Sequence, residues 1–417
     1  CKMNLSLVYM ARLYVYNIYG GVYMSGILDY IDWRGDLTFK DSPFNDIDNL
    51  IFTQLSFIDF ESIVPGIDSS GCIRLKDAAD EFFAARDGNK IQMGVLVPND
   101  IVTLFKKMSE APRYQELLLK KYINKIDYEK QQQFAALSIV INEDLMYIAF
   151  RGTDDTIVGW KEDFNMGFMS AVPSQLDAVK YVSKACADNS CKIIIGGHSK
   201  GGNLSVYSAI YSEKAVKDRI VKVYNNDGPG FSRKVIDLNE YTEVADRIET
   251  IIPESSVVGI MLEHDEKFTI VKSTQKGILQ HDAFSWEVLG KNFVLAEERT
   301  KYSEISDAAL KTWLSEMDTE ERILFVDTLF DILQSTDAKT LLDLNANKLE
   351  TATALLKTIK NLDDDKKAGM SKILGALFKD NVMAAVNTMF KPKEEKKKHL
   401  SKKRGYAVVN KKKGSKK

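Results

Sequence analysis

The stretch "IIIGGHSKGGNLSVY", Ile193 to Tyr207, is an apolar run that breaks into glycines around one serine and resumes with helical spacing. Within it, Gly197-His198-Ser199-Lys200-Gly201 fits G-x-S-x-G, framed by the strand and helix that this motif requires. A sharp strand-to-helix turn forces its central residue into a strained backbone conformation, and flanking glycines remove the β-carbons that would collide there. The Ser199 hydroxyl is therefore expected to stand clear above a sheet. The helix N-terminus after it offers unpaired N–H groups and a positive dipole end, which favour negative charge. A phosphate-cradling G-x-x-x-x-G-K-[ST] loop is excluded, because Asn203 and Leu204 follow Gly202.

Outward from the turn, strand-like and helix-like runs alternate. "FAALSIVI" and "LMYIAFRG", joined by Asn-Glu-Asp, read as a hairpin. Then come a helix (Pro173 to Ala187), a strand (Lys192 to Ile195), a helix (Lys200 to Ser212) and strands at Ile220 to Tyr224, Arg247 to Ile252 and Phe268 to Lys272. The alternation predicts an α/β fold with a parallel-rich central sheet. Ahead of it, Asn45 to Phe60 and Leu75 to Tyr122 carry helical spacing, giving a mostly helical lead-in over 24–134 and a catalytic core over 135–298 of one domain, 24–298. From 299 to 390 strands cease, and stretches such as Glu321 to Leu333 and Met370 to Phe390 predict an added helical segment.

The formal net charge of −2 hides an asymmetry: residues 391–417 hold thirteen Lys/Arg against two Glu, leaving about −13 on the rest. That tail is expected to be disordered and solvated, with peripheral contact to anionic membrane as its candidate partner and no specific nucleic acid expected. Four cysteines (Cys1, Cys72, Cys186, Cys191) make no disulfide framework in 417 residues, so a reducing, cytoplasmic setting is expected. Residues 1–23 are expected to be a leader or non-native extension, with Met24 as the natural start, because Tyr19 to Met24 can be encoded by a ribosome-binding element ahead of a start codon.

A nucleophilic serine needs a base, and the chain has four histidines. His198 adjoins Ser199 and is expected to pack below the turn, and His399 lies in the tail. His281, in "LQHDAFSW" after the last strand, is the candidate base, with His264 in "MLEHDEKF" as the alternative. The acid that orients the imidazole should lie between serine and base, which points to Asp227 in "VYNNDGPGF", with Glu254 and Asp265 competing. For an oxyanion site, the Lys200 N–H is one donor, and Thr153 in "IAFRGTDDTIVGWKEDF" offers its N–H and hydroxyl as the other. No metal or organic cofactor is implied.

Taken together, "AFRGT", Trp160 and Asp163 in "GWKEDF", Gly167-Phe168 and "GGHSKGG" resemble the class three lipase pattern of the α/β-hydrolase superfamily. A fuller resemblance, over Gly26 to Gly290, is to an uncharacterised bacterial branch of that superfamily, a domain of unknown function, through "ILDYIDWRGDLTF", "NNDGPGF" and "QHDAFSW". The resemblance implies an α/β-hydrolase fold with Ser199 as nucleophile, His281 as base and Thr153 with Lys200 as oxyanion site. Class three lipases take their acid from a later loop, which here reads Ser255-Ser256-Val257, while "NDGPGF" is similar to pancreatic-type lipases and implies Asp227. The histidine usual before Gly-Phe is replaced by Asn165-Met166. The expectation is a serine hydrolase cleaving carboxylic esters, with lipid acyl esters implied by resemblance alone. The alternative is an inactive hydrolase fold acting as a scaffold through its C-terminal helices and tail.

Overall fold

The computed structural model describes residues 25–330 apart from 87–90, 92, 95, 96, 233–235, 317–319, 321, 324, 325, 328 and 329. The chain divides into two units, 1–352 and 353–417. The expected leader, the helix over Met370 to Phe390 and the basic tail lie outside the described residues. Of the expected helix over 321–333, positions 322, 323, 326, 327 and 330 are described and helical. No helix among the described residues is long and apolar enough to cross a membrane.

The architecture is an α/β-hydrolase fold built on eight strands that lie in the sheet in chain order. These are β1 (Ile73–Arg74), β2 (Leu118–Asp127), β3 (Gln132–Asn142), β4 (Leu145–Phe150), β5 (Lys192–His198), β6 (Ile220–Asn226), β7 (Ile248–Pro253) and β8 (Phe268–Val271). Pairing is antiparallel from β1 to β4 and parallel from β4 to β8. Because successive strand side chains face opposite ways, each strand feeds two cores. Ile194, Tyr147, Ala149 and Tyr224 face the N-terminal helices α1 (Ile27–Arg34), α2 (Asp46–Leu55), α3 (Leu75–Ala84) and α4 (Asp100–Glu110). On the other face, Ile193, Ile195, Ile148 and Val223 join the cluster built with α6 (Pro173–Cys186) and α7 (Lys200–Tyr211). The remaining helix before them, α5 (Ile157–Asn165), follows the loop after β4, and α8 (Lys301–Glu316) comes after β8.

Leu118 to Tyr122, expected within a helical stretch, belongs to the ten-residue strand β2. The first eight residues of β3 are all buried, so β3 needs a hydrogen-bonded neighbour on each side, and β2 supplies one of them. The strand is irregular at its lysine pair: the register shifts between Lys120 and Ile123, and Lys121 takes φ 58°. The Lys121 ammonium is matched by Asp188 at 2.7 Å.

Candidate active site

In a parallel sheet the carboxyl ends of the strands form one edge, and functional groups collect there. Gly152 and Thr153 follow β4, Ser199 follows β5, Asp227 follows β6, Ser255 and Ser256 follow β7, and His281 follows β8.

Ser199 has φ 58° and ψ −129°, a conformation that costs a side-chain-bearing residue about 1–3 kcal/mol. As the residue ahead of α7, a serine would ordinarily cap the helix with its own oxygen. Here no side-chain cap bond forms. The Gly202 N–H instead donates to the Ser199 carbonyl at 2.9 Å. The glycines are dictated by contact: a β-carbon on Gly197 would lie 2.1 Å from the Gly201 carbonyl carbon, and one on Gly201 would lie 2.2 Å from the Phe150 oxygen. Gly152 brings the neighbouring strand end as close, since its β-carbon position is 3.3 Å from Ser199 Cβ.

Asp227 is fully buried, with φ 51°. His281 Nδ1 donates to its Oδ2 at 2.6 Å. The other oxygen, Oδ1, accepts the Ser256 hydroxyl at 2.5 Å and the Gly259 N–H at 3.2 Å. A carboxylate cannot donate, so it fixes the tautomer with the proton on Nδ1 and leaves Nε2 as the basic nitrogen. The His281 side chain is 27% exposed, and its loop is tied down by Gln280, which accepts the Ser255 N–H at 2.7 Å and the Trp286 indole N–H at 2.8 Å.

His198 is buried, as its sequence position suggested, with its ring against Trp286. Its Nε2 donates to the His281 carbonyl at 2.8 Å, and the two rings lie 4.6 Å apart. Burial, reinforced by the nearby His281, holds its pKa well below the ordinary histidine value, so His198 is a neutral donor that ties down the His281 backbone.

The N–H groups of Thr153 and Lys200 form no hydrogen bond to a loop or cap acceptor among the described residues. The Thr153 hydroxyl donates to Asp163 Oδ2 at 2.5 Å, so its one proton is committed while Asp163 is ionised. Only the N–H remains for an incoming ligand. Burial raises the Asp163 pKa to about 6, against the lowering influence of Lys200 and Thr153, with Glu162 and Asp154 adding to the rise.

The alternatives from sequence lie elsewhere. His264 Nδ1 contacts Glu266 at 3.0 Å, within a cluster that also brings the Thr250 and Tyr241 hydroxyls onto Glu266. Its Nε2 is buried without a hydrogen-bond partner among the described residues. Glu254 forms no hydrogen bond or ion pair with His281; its backbone joins Val271 and Thr300. Two contributors were missed. Ser256 supports the acid from the loop where a class three lipase would place its own carboxylate. Glu162 accepts the buried Lys200 ammonium at 3.1 Å, and a lysine set between Ser199 and two glycines of a tightly packed turn was the available signal, since a buried charge needs a partner.

The Mbeg1-like family model matches residues 108–331, more than half of the 417-residue chain. The chain belongs to the Mbeg1-like family. In this Mbeg1-like chain the matched span includes every residue of the site just described. No curated protein matches the chain. Solved structures similar to it include a Rhizomucor miehei lipase in a propeptide complex, at TM-score 0.32 and 17% identity over 43% of this chain and 71% of that one. M37 lipase gives TM-score 0.33 and 15% identity over 52% and 70%. A triacylglycerol lipase whose catalytic centre is described as a serine protease triad gives 0.36 and 14% over 59% and 97%. Likenesses this distant leave the hydrolase fold of the Mbeg1-like chain resting on its own strand order and turn at Ser199.

Proposed function

We propose that this Mbeg1-like chain is a serine hydrolase of the lipase or esterase type, acting on carboxylic esters, with lipid acyl esters as the substrate class. The observation that carries the reading is the His281 Nδ1 to Asp227 Oδ2 bond of 2.6 Å, formed at the same sheet edge that lifts Ser199 into a positive-φ turn. Ser199 Oγ attacks the ester carbonyl while His281 Nε2 takes its proton. The N–H groups of Thr153 and Lys200 stabilise the oxyanion. The imidazolium, held by Asp227, returns the proton to the leaving alcohol, and water activated by the same nitrogen releases the acid and frees Ser199. Three described cysteines, Cys72, Cys186 and Cys191, are free thiols, which supports a cytoplasmic setting, and the basic residues 391–417 support peripheral attachment to anionic membrane.

The test is labelling of the folded full-length chain with a fluorophosphonate, together with turnover of p-nitrophenyl esters of graded acyl length. Labelling and turnover that vanish in Ser199→Ala support the reading. A wild-type chain that stays unlabelled and inert overturns it in favour of a scaffold. Salt-sensitive sedimentation with phosphatidylserine vesicles tests the attachment.

A further inference from the structure

The side chain of Lys200 has no part in the chemistry above, which uses only its N–H, yet it is among the most enclosed charges in the molecule. It is 1% exposed, and Glu162 opposite it is 0% exposed. The ammonium has three protons and three close acceptors: the Gln133 carbonyl at 2.9 Å, Gln133 Oε1 at 2.8 Å and Glu162 Oε2 at 3.1 Å. Glu162 in turn accepts the Gln133 N–H at 3.0 Å, the Ser174 N–H at 2.9 Å and the Ser174 hydroxyl at 2.8 Å. One network therefore clamps the first residue of α7, the start of β3, the start of α6 and the middle of α5.

Any residue but proline at position 200 would present an N–H, and a buried ion pair adds little stability over an apolar pair of the same shape. What this pair adds is connection. Lys200 carries one of the two donor N–H groups. Glu162 precedes Asp163, whose Oδ2 holds the Thr153 hydroxyl and with it the segment bearing the other N–H. Lys200 Nζ also lies 3.7 Å from Asp163 Oδ1, a buried oxygen that otherwise has no hydrogen-bond partner among the described residues. The two donors reach each other through side chains as well as through the sheet.

We infer that the Lys200–Glu162 ion pair is a positioning device that sets the spacing of the two oxyanion donors, Thr153 N–H and Lys200 N–H. The inference rests on the serine-hydrolase reading of Ser199. A donor displaced by about 1 Å costs on the order of 100-fold in rate, mostly in the chemical step.

The experiment compares the full-length wild type with Lys200→Met and with Lys200→Met/Glu162→Gln. The readouts are kcat and KM on p-nitrophenyl acetate, extent of fluorophosphonate labelling, and Tm. Lys200→Met is expected to lower kcat about 100-fold with KM within about twofold, while Ser199 still labels to completion. The double variant, which leaves no unpaired buried charge, is expected to regain a Tm close to wild type and to keep the low kcat. A double variant with wild-type kcat overturns the inference. Should Lys200→Met not fold, the double variant decides alone, and failure of both to fold makes the pair a folding element and also overturns it. An unlabelled, inert wild type brings down the hydrolase reading itself, and the inference with it.

Discussion

Ser256 and Asp227 come from loops after adjacent strands, and the Ser256 hydroxyl reaches Asp227 Oδ1 at 2.5 Å while the other carboxylate oxygen holds His281. The acid is thereby fixed at both oxygens. Asp227→Asn is expected to lower kcat/KM by about 10,000-fold, because an amide nitrogen facing Nδ1 imposes the wrong tautomer. Ser256→Ala removes one charge-assisted bond worth about 1.5–3 kcal/mol and leaves the Gly259 N–H, so a loss of roughly ten- to hundredfold is expected. Steady-state kinetics on a p-nitrophenyl ester separates the two, and equal losses would contradict this account.

Glycine at 197 and 201 is a packing requirement as well as a motif. A β-carbon at either position meets backbone atoms at 2.1–2.2 Å, which cannot rotate away. Gly197→Ala and Gly201→Ala are each expected to cost more than about 3 kcal/mol or to prevent folding. At Gly167 the nearest atom is 3.4 Å off, so Gly167→Ala should be neutral or stabilising by up to ~1 kcal/mol. Urea denaturation gives the comparison.

Asp163 predicts the shape of the acid limb of the pH–rate profile. Its carboxyl, raised by burial to about 6, faces Lys200 from α7, Glu162 on its own helix, and Thr153 with Asp154 from the loop after β4, Asp154 being paired with Arg151. Below that pH the carboxylate that anchors Thr153 is lost in addition to protonation of the base. The slope of log kcat/KM against pH is therefore expected to exceed one on the acid side. Asp163→Asn should return it to one, and a wild-type slope of one speaks against any role for Asp163.

The His264 cluster gives stability a pH dependence. Burial opposes ionisation of Glu266, but the His264 imidazole and the Thr250 and Tyr241 hydroxyls outweigh it and bring the pKa down from 4.5 to about 2. A folded-state pKa below the unfolded one stabilises the fold fully above about pH 4.5, and the contribution fades as pH falls through about 2. Glu266→Gln should flatten that dependence in acid unfolding followed by circular dichroism. His264→Ala and Glu254→Ala should lower esterase activity no more than twofold, and a larger loss would put either residue back in contention.

Much of this was legible in the sequence because it depends on neighbours along the chain. The turn at Ser199 follows from glycines within two residues of it, and the strand–helix alternation follows from side-chain period. The strand β2 was not legible, because Leu118 to Tyr122 pairs with β3 for the sake of β3's buried backbone, and no local rhythm of its own records that need. Ser256, Glu162 and the His198 contact to His281 were likewise hidden, since each joins loops or elements from different parts of the sheet.

By itself, then, the amino-acid order determined a serine on a glycine turn at the edge of a parallel sheet, since steric exclusion at Gly197 and Gly201 acts over a few bonds. Only tertiary structure decided that His281 rather than His264 meets Asp227, and that Lys200 turns inward to Glu162. Charges and hydrogen-bonding groups act over a few ångströms of space. Which of them come within that reach is set by how β4 to β8 stack side by side.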